Sequence, residues 1–207
     1  QYQIPLYEAP GFLSLFEQSR RQRLAEMDDR FRAFVTEAQH GRLFQPPELP
    51  EGLDAILRPY QKEGVGWMLF LQKYGFGGVL ADDMGLGKTL QVLTLLEMKR
   101  KEWKEPVLIV CPKSLMQMWA LEAKKFTPHL RIKVVDGTVV ERSQMIQSRE
   151  NIDVFITSYS LLQRDLPVYH AASASFSLMV LDEAHSIKNA GTNTAKAVKL
   201  LPARHRL

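Results

Sequence analysis

Three groups of residues in this chain are of the types that handle phosphate esters. The first is Asp82-Asp83-Met84-Gly85-Leu86-Gly87-Lys88-Thr89. Glycines in such a loop let successive backbone N–H groups converge on phosphate oxygens, helped by the positive end of the helix that follows. Lys88 is placed to reach the β- and γ-phosphates, and the Thr89 hydroxyl to ligate Mg²⁺. The strict form of this loop has glycine where Asp82 stands, so on residue types alone a chance Gly-Lys-Thr remains the alternative. The second group is Asp182-Glu183-Ala184-His185, directly after the apolar run SLMVL. Asp182 suits a Mg²⁺ site, commonly through water, and Glu183 suits the orientation and deprotonation of an attacking water. A solvated strand end is the plain alternative. The third is Leu57-Arg58-Pro59-Tyr60-Gln61-Lys62-Glu63-Gly64, where the Gln61 amide matches the N6 and N7 edge of adenine; a solvated helix residue is the alternative there.

These residues need particular elements to position them. Short apolar runs at 76–81, 107–111, 131–135, 153–158 and 177–182 read as strands. Helix-like segments lie at 58–74, 88–103, 114–126, 139–149, 159–164 and 192–201, the first with Pro59 in its opening turn. Near-continuous apolar strands alternating with helices predict an α/β fold, a mainly parallel sheet covered on both faces. Ligands of such sheets sit at the carboxyl ends of the strands, where the loop at 82–89 and the Asp182-Glu183 pair both fall. Upstream, apolar residues between Leu13 and His40 recur at helical spacing and stop at Gly41, and the proline-rich stretch from Phe44 to Leu53 reads as a linker. The expected division is therefore 1–54, a helical extension and linker, and 55–207, the α/β unit. The helix reads as a packing brace or, alternatively, as a docking element for a protein partner.

Bulk properties exclude more than they assign. With 45% apolar and 24% charged residues the composition is ordinary, and no apolar run approaches the roughly 20 residues of a membrane span, so no membrane partner is expected. Cys111 alone makes neither an internal disulfide nor a zinc cluster, and its setting in VLIVC reads as a buried strand position. Residues 1–54 carry 6 Arg, no Lys and 9 acids, a balance of −3, whereas 55–207 carry 21 basic and 14 acidic groups, a balance of +7. A polyanion would dock on the second part. The basic cluster at 99–105 reads as cations complementing a helix C-terminus, and Trp67 and Trp119 as core anchors.

The wording of the motifs adds a resemblance. Taken in order, they resemble the helicase superfamily that includes the DEAD and DEAH proteins, and within it the Swi/Snf-type ATPases. LRPYQKEGVGW is similar to that family's adenine motif and DDMGLGKTLQ to its Asp-rich phosphate loop, which also accounts for Asp82. VLIVCPKSLMQMWALEAKKF, ITSYSLL and LDEAHSIKN resemble its next three blocks. The resemblance covers residues 57 to 207.

It implies a three-layer RecA-like P-loop lobe that uses ATP and Mg²⁺ and tracks on double-stranded DNA without strand separation. Arg58, Gln61, Met84, Gly85, Leu86, Gly87, Lys88 and Thr89 would bind nucleotide; Thr89 and Asp182 would hold the metal; Lys88, Asp182 and Glu183 would be catalytic. Pro112, Lys113 and Ser114 after one strand, and Thr157, Ser158 and Tyr159 after another, would contact nucleic-acid phosphates. On residue types alone Ser114 and Ser158 read as helix N-caps. His185 would couple to a second RecA-like lobe or sense the γ-phosphate, a polar turn being the alternative. The chain is expected to be the first lobe of a two-lobed motor, nearly inactive without the second lobe's arginine. Two rival readings stay open: a DEAH-type RNA or strand-separating helicase, and a nucleotide-binding interaction module docking on a partner such as RNA polymerase. Short connections and the lack of a targeting signal suggest a bacterial cytoplasmic protein acting at the nucleoid.

Overall fold

A computed structural model of the protein describes residues 46–83 and 85–207. The helix expected between Leu13 and His40, and Met84 of the loop, lie outside the described residues. In chain order the elements are α1 (Glu51–Asp54), α2 (Pro59–Tyr74), α3 (Lys88–Lys99), β1 (Val107–Cys111), α4 (Met116–Phe126), β2 (Ile132–Val134), α5 (Val139–Gln147), β3 (Val154–Ser158), α6 (Tyr159–Ala171), β4 (Phe176–Leu181), α7 (Asn193–Leu200) and β5 (Ala203–Arg206). Single 3-10 turns at Lys113–Leu115 and Ala184–Ile187 follow β1 and β4.

The five strands form one parallel sheet in the order β2-β3-β1-β4-β5. β1 and β3 are buried along their whole length. Side chains alternate across a strand, so the two faces of β1 feed two cores. Val107, Ile109 and Cys111 join Val65 and Met68 of α2, Leu93 and Leu96 of α3 and Trp119 of α4. Leu108 and Val110 join Ile146 of α5, Leu162 and Tyr169 of α6 and Val198 of α7. The result is the three-layer α/β arrangement that the alternating pattern predicts.

Helices follow local signals at several ends. Pro59 opens α2, and Gly75, in the left-handed region at φ 76°, closes it. Thr138 caps α5 and Ser158 caps α6, each accepting a backbone N–H three residues on. Among the described residues, no helix is long and apolar enough to cross a membrane.

Tertiary context overrides local pattern at four places. Residues 76–81 do not form a strand; the segment runs beside β5 with a bond from Gly78 N–H to the Arg206 carbonyl (3.2 Å). A Cβ on Gly78 would lie 2.3 Å from Leu71 and 2.7 Å from Trp67, so the segment packs by glycine contact against α2 instead of joining a regular ladder. The fifth strand is β5, in polar residues with no strand-like apolar run. α6 runs through Pro167 to Ala171, beyond the expected end at 164, because Leu162 and Tyr169 on both sides of the proline are buried in one core. Finally, the expected linker contributes to the packed unit: α1 is a helical turn, and Leu53 and Leu57 are buried against the same core as α2 and α3.

Candidate nucleotide site

Parallel pairing puts the carboxyl ends of all strands on one edge. The connection from β1 passes through α4 on one face, and the connection from β4 passes through α7 on the other. β1 and β4 are neighbours whose connections leave on opposite faces, so their carboxyl ends mark the position where open α/β sheets commonly bind ligands. Asp182 sits there, its N–H continuing the ladder to the Val110 carbonyl at 2.9 Å.

The loop between the extended segment and α3 has the backbone of a phosphate cradle. Gly85 and Gly87 take φ of +82° and +75°, the left-handed region that glycine enters without strain. Lys88 is the first residue of α3, so its N–H and those of the next residues are the free donors of a helix start. Its ammonium is held by the Asp82 and Asp83 carbonyls at 2.6 and 3.1 Å, a cation kept at the loop by oxygens that phosphate oxygens can replace. Thr89 is half-buried in the first turn of α3.

The Gln61 block is welded to this loop. Gln61 is 6% exposed; its Oε1 accepts from Arg58 N–H at 2.9 Å, and its Nε2 donates to the Leu86 carbonyl at 2.9 Å. Tyr60 adds its hydroxyl to the same carbonyl at 3.1 Å. The amide thus has both of its atoms engaged within the protein, while the Arg58 side chain is exposed. Asp82 is tied from the helix side: Gln91, fully buried, donates Nε2 to Asp82 Oδ2 at 2.9 Å. Gly64 makes this possible, since a Cβ there would lie 2.0 Å from Gln91 Oε1. Gln91 and Tyr60 carried no signal in the sequence beyond standing within the motifs.

At this strand end, Asp182 Oδ2 accepts from the indole N–H of Trp119 at 2.8 Å, and its carbonyl accepts from the Tyr159 hydroxyl at 2.8 Å. Burial first, and the nearby charge of Asp182 second, push the Cys111 thiol up to about 12; burial and the same carboxylate raise the Tyr159 hydroxyl. Glu183 leaves the strand in the left-handed region at φ 54°, a conformation that costs a non-glycine residue free energy and clusters at functional sites. Its Oε2 lies 3.2 Å from Nδ1 of the exposed His185.

The expected nucleic-acid contacts divide. Lys113 and Ser114 are exposed and Pro112 half-buried on the turn after β1, with Lys113 loosely paired to Asp136 at 3.6 Å. Ser114 caps no helix by its side chain. Thr157, Ser158 and Tyr159 are buried. Ser158 spends its hydroxyl on the Leu161 N–H of α6, and Tyr159 spends its own on Asp182. The three side chains are thus committed to the core, to the cap of α6 and to Asp182.

The donor set suits a Mg²⁺-nucleotide: glycine-cradled N–H groups, a lysine on replaceable oxygens, a helix-start threonine, and Asp182 Oδ1, which has no protein partner among the described residues.

Comparison with known proteins accords with this geometry. Residues 60–207 match the SNF2-related domain. The chain is 38% identical over 192 residues to the TATA-binding protein-associated factor MOT1 of Saccharomyces cerevisiae, covering 86% of this chain and 10% of that protein. It is 33% identical over 199 residues to the human TATA-binding protein-associated factor 172, covering 89% and 11%. The SWI2/SNF2 ATPase core of Sulfolobus solfataricus in complex with double-stranded DNA superposes with a TM-score of 0.67 at 41% identity, covering 79% of this chain and 33% of that one. The chain thus spans about a tenth of these curated relatives and a third of the solved core.

Proposed function

Because this chain belongs to the SNF2-related family, we propose that it is the first ATP-binding lobe of a DNA-dependent motor that translocates on double-stranded DNA. The observation that carries the reading is the placement of Asp182 and Glu183 at the carboxyl end of β4 beside β1, with α3, which the phosphate-type loop opens, packed in the same core as the Trp119 that bonds Asp182. The solved relative's duplex supports DNA as the track.

In this reading Lys88 exchanges the Asp82 and Asp83 carbonyls for β- and γ-phosphate oxygens. Thr89 and Asp182 hold Mg²⁺, and Glu183 accepts the proton of the attacking water while His185 orients its carboxylate. Bound Mg²⁺ supplies neutralisation of the charge that develops on the phosphoryl oxygens. Lys113 and Ser114 offer an ammonium and a hydroxyl to the sugar-phosphate backbone, contacts that carry no sequence information and therefore suit a tracking motor. A second RecA-like lobe, closing on the nucleotide, would convert hydrolysis into a step.

The test is steady-state ATP hydrolysis by the intact protein with and without duplex DNA, with Lys88→Ala as control. Stimulation by the duplex, abolished by Lys88→Ala, is expected. Stimulation by RNA alone, or by a protein partner alone, would overturn the DNA-motor reading and leave an ATPase.

A further inference from the structure

Two aromatic side chains reach Asp182 from two different helices. Trp119, one turn into α4 and 4% exposed, donates its indole N–H to Oδ2 at 2.8 Å. Tyr159, the first residue of α6, donates its hydroxyl to the Asp182 main-chain carbonyl at 2.8 Å. They do different things. Tyr159 anchors the backbone where the chain leaves the sheet, one residue before the left-handed turn at Glu183. Trp119 acts on the carboxylate itself.

A buried indole N–H needs an acceptor, and any main-chain carbonyl would serve. Here it takes a carboxylate oxygen, a charge-assisted bond that the carboxylate must break in order to rotate. One oxygen is thereby committed to the protein, and Oδ1 is the oxygen left for a ligand. Trp119 is itself immobilised: it packs in the core formed by α2, α3, α4 and the β1 face that carries Cys111. The carboxylate is therefore referenced to the rigid sheet and not to the exposed turn that follows it, since Ala184 to Ser186 are all exposed.

We propose that Trp119 is a positioning residue for the metal site, its indole N–H holding Oδ2 of Asp182 so that Oδ1 faces the divalent cation of a bound nucleotide. The inference rests on the nucleotide-site reading above. Trp119 is buried in the core and its polar atom is bonded to the Asp182 carboxylate, so its loss should appear in metal binding before it appears in nucleotide binding.

The experiment titrates Mn²⁺ into the intact protein with ATP, following free Mn²⁺ by electron paramagnetic resonance, with Glu183→Gln present to prevent turnover. Replacing the outer partner of a metal ligand typically weakens metal affinity about 10- to 100-fold, and Trp119→Phe should do the same while ATP binding in EDTA stays unchanged. With Glu183 intact, turnover of Trp119→Phe should recover at high Mg²⁺, as that of a misfolded variant would not. Unchanged Mn²⁺ affinity in Trp119→Phe would overturn the positioning role. Should the variant fold poorly, the indole ¹⁵N resonance of Trp119 in the otherwise unsubstituted protein decides: it should shift when Mg²⁺ and ADP are added together but not with ADP alone, and no difference overturns the proposal. If the parent itself binds no Mn²⁺ with ATP, the nucleotide-site reading falls and takes the positioning role with it, an outcome distinct from a parent and variant that bind alike.

Discussion

The side-chain amide of Gln61 donates to the main-chain carbonyl of Leu86 at 2.9 Å across 25 residues of sequence. The helix that precedes the phosphate-type loop thereby sets the shape of that loop. The contact is close because residue 87 lacks a side chain: a Cβ on Gly87 would lie 2.4 Å from Gln61 Nε2.

Gly87→Ala should accordingly damage the loop twice. An L-residue at φ +75° is destabilised by about 1–2 kcal/mol, and the added methyl displaces the Gln61 amide from Leu86. Gln61→Ala removes the bond to Leu86 and the one from Arg58 N–H but leaves the loop backbone unstrained, a net effect of about 1 kcal/mol per bond. Isothermal titration with ADP should show a modest weakening for Gln61→Ala and a larger one for Gly87→Ala. Equal affinities for both variants and the parent would count against the coupling of block and loop.

Arg142 and Asp165 form a buried bidentate pair between α5 and α6, with bonds of 2.7 and 2.8 Å and side-chain exposures of 6% and 4%. Asp165→Ala leaves a guanidinium buried without its carboxylate and should destabilise the fold by about 3–5 kcal/mol. The double variant Arg142→Met, Asp165→Leu should regain most of that loss. Urea midpoints of the three proteins check both statements.

Cys111 is fully buried on β1, and its thiol is pushed up to about 12 by burial and by the charge of Asp182. The thiolate is the reactive form, so a maleimide at pH 8 should label the native protein negligibly and label it fully in denaturant. Rapid labelling of the native chain would show that β1 opens readily.

Asp153 binds the Arg131 guanidinium at 2.7 and 2.9 Å and the Arg131 backbone N–H at 2.8 Å, joining the starts of β2 and β3. Burial raises its carboxyl, but those bonds together hold it below the usual carboxylate value. A group depressed in the folded state contributes stability in full above its unfolded value, about 3.9, and loses it as pH falls through the lower folded value. Asp153→Asn should therefore be less stable than the parent at pH 6, and the gap should close as the pH drops below about 4. Urea midpoints across that range measure it; a gap independent of pH would mean the carboxylate charge is not what matters.

Much of the fold was legible in the chain because its signals are local. Four strands with near-continuous apolar runs, helices opened by Pro59 and Ser158, and a glycine loop before a helix all depend on neighbours a few residues away. The same holds for the positions of Lys88 and Thr89 at the start of α3 and of Asp182 and Glu183 directly after β4, since element ends are properties of short segments. Tertiary structure decided what depends on distant partners. β5 is a strand because β4 lies beside it, not because Ala203–Arg206 is apolar. Residues 76–81 stay outside the ladder because two glycines press against α2 and the Arg206 carbonyl. Thr157, Ser158 and Tyr159 face inward because a core and a helix start needed their side chains. Gln91 and Trp119 gained their acceptors, Asp82 and Asp182, only when α3 and α4 closed over the sheet edge. A sequence states which groups are present and how each segment curls, whereas which buried donor meets which acceptor is set by packing between segments far apart in the chain.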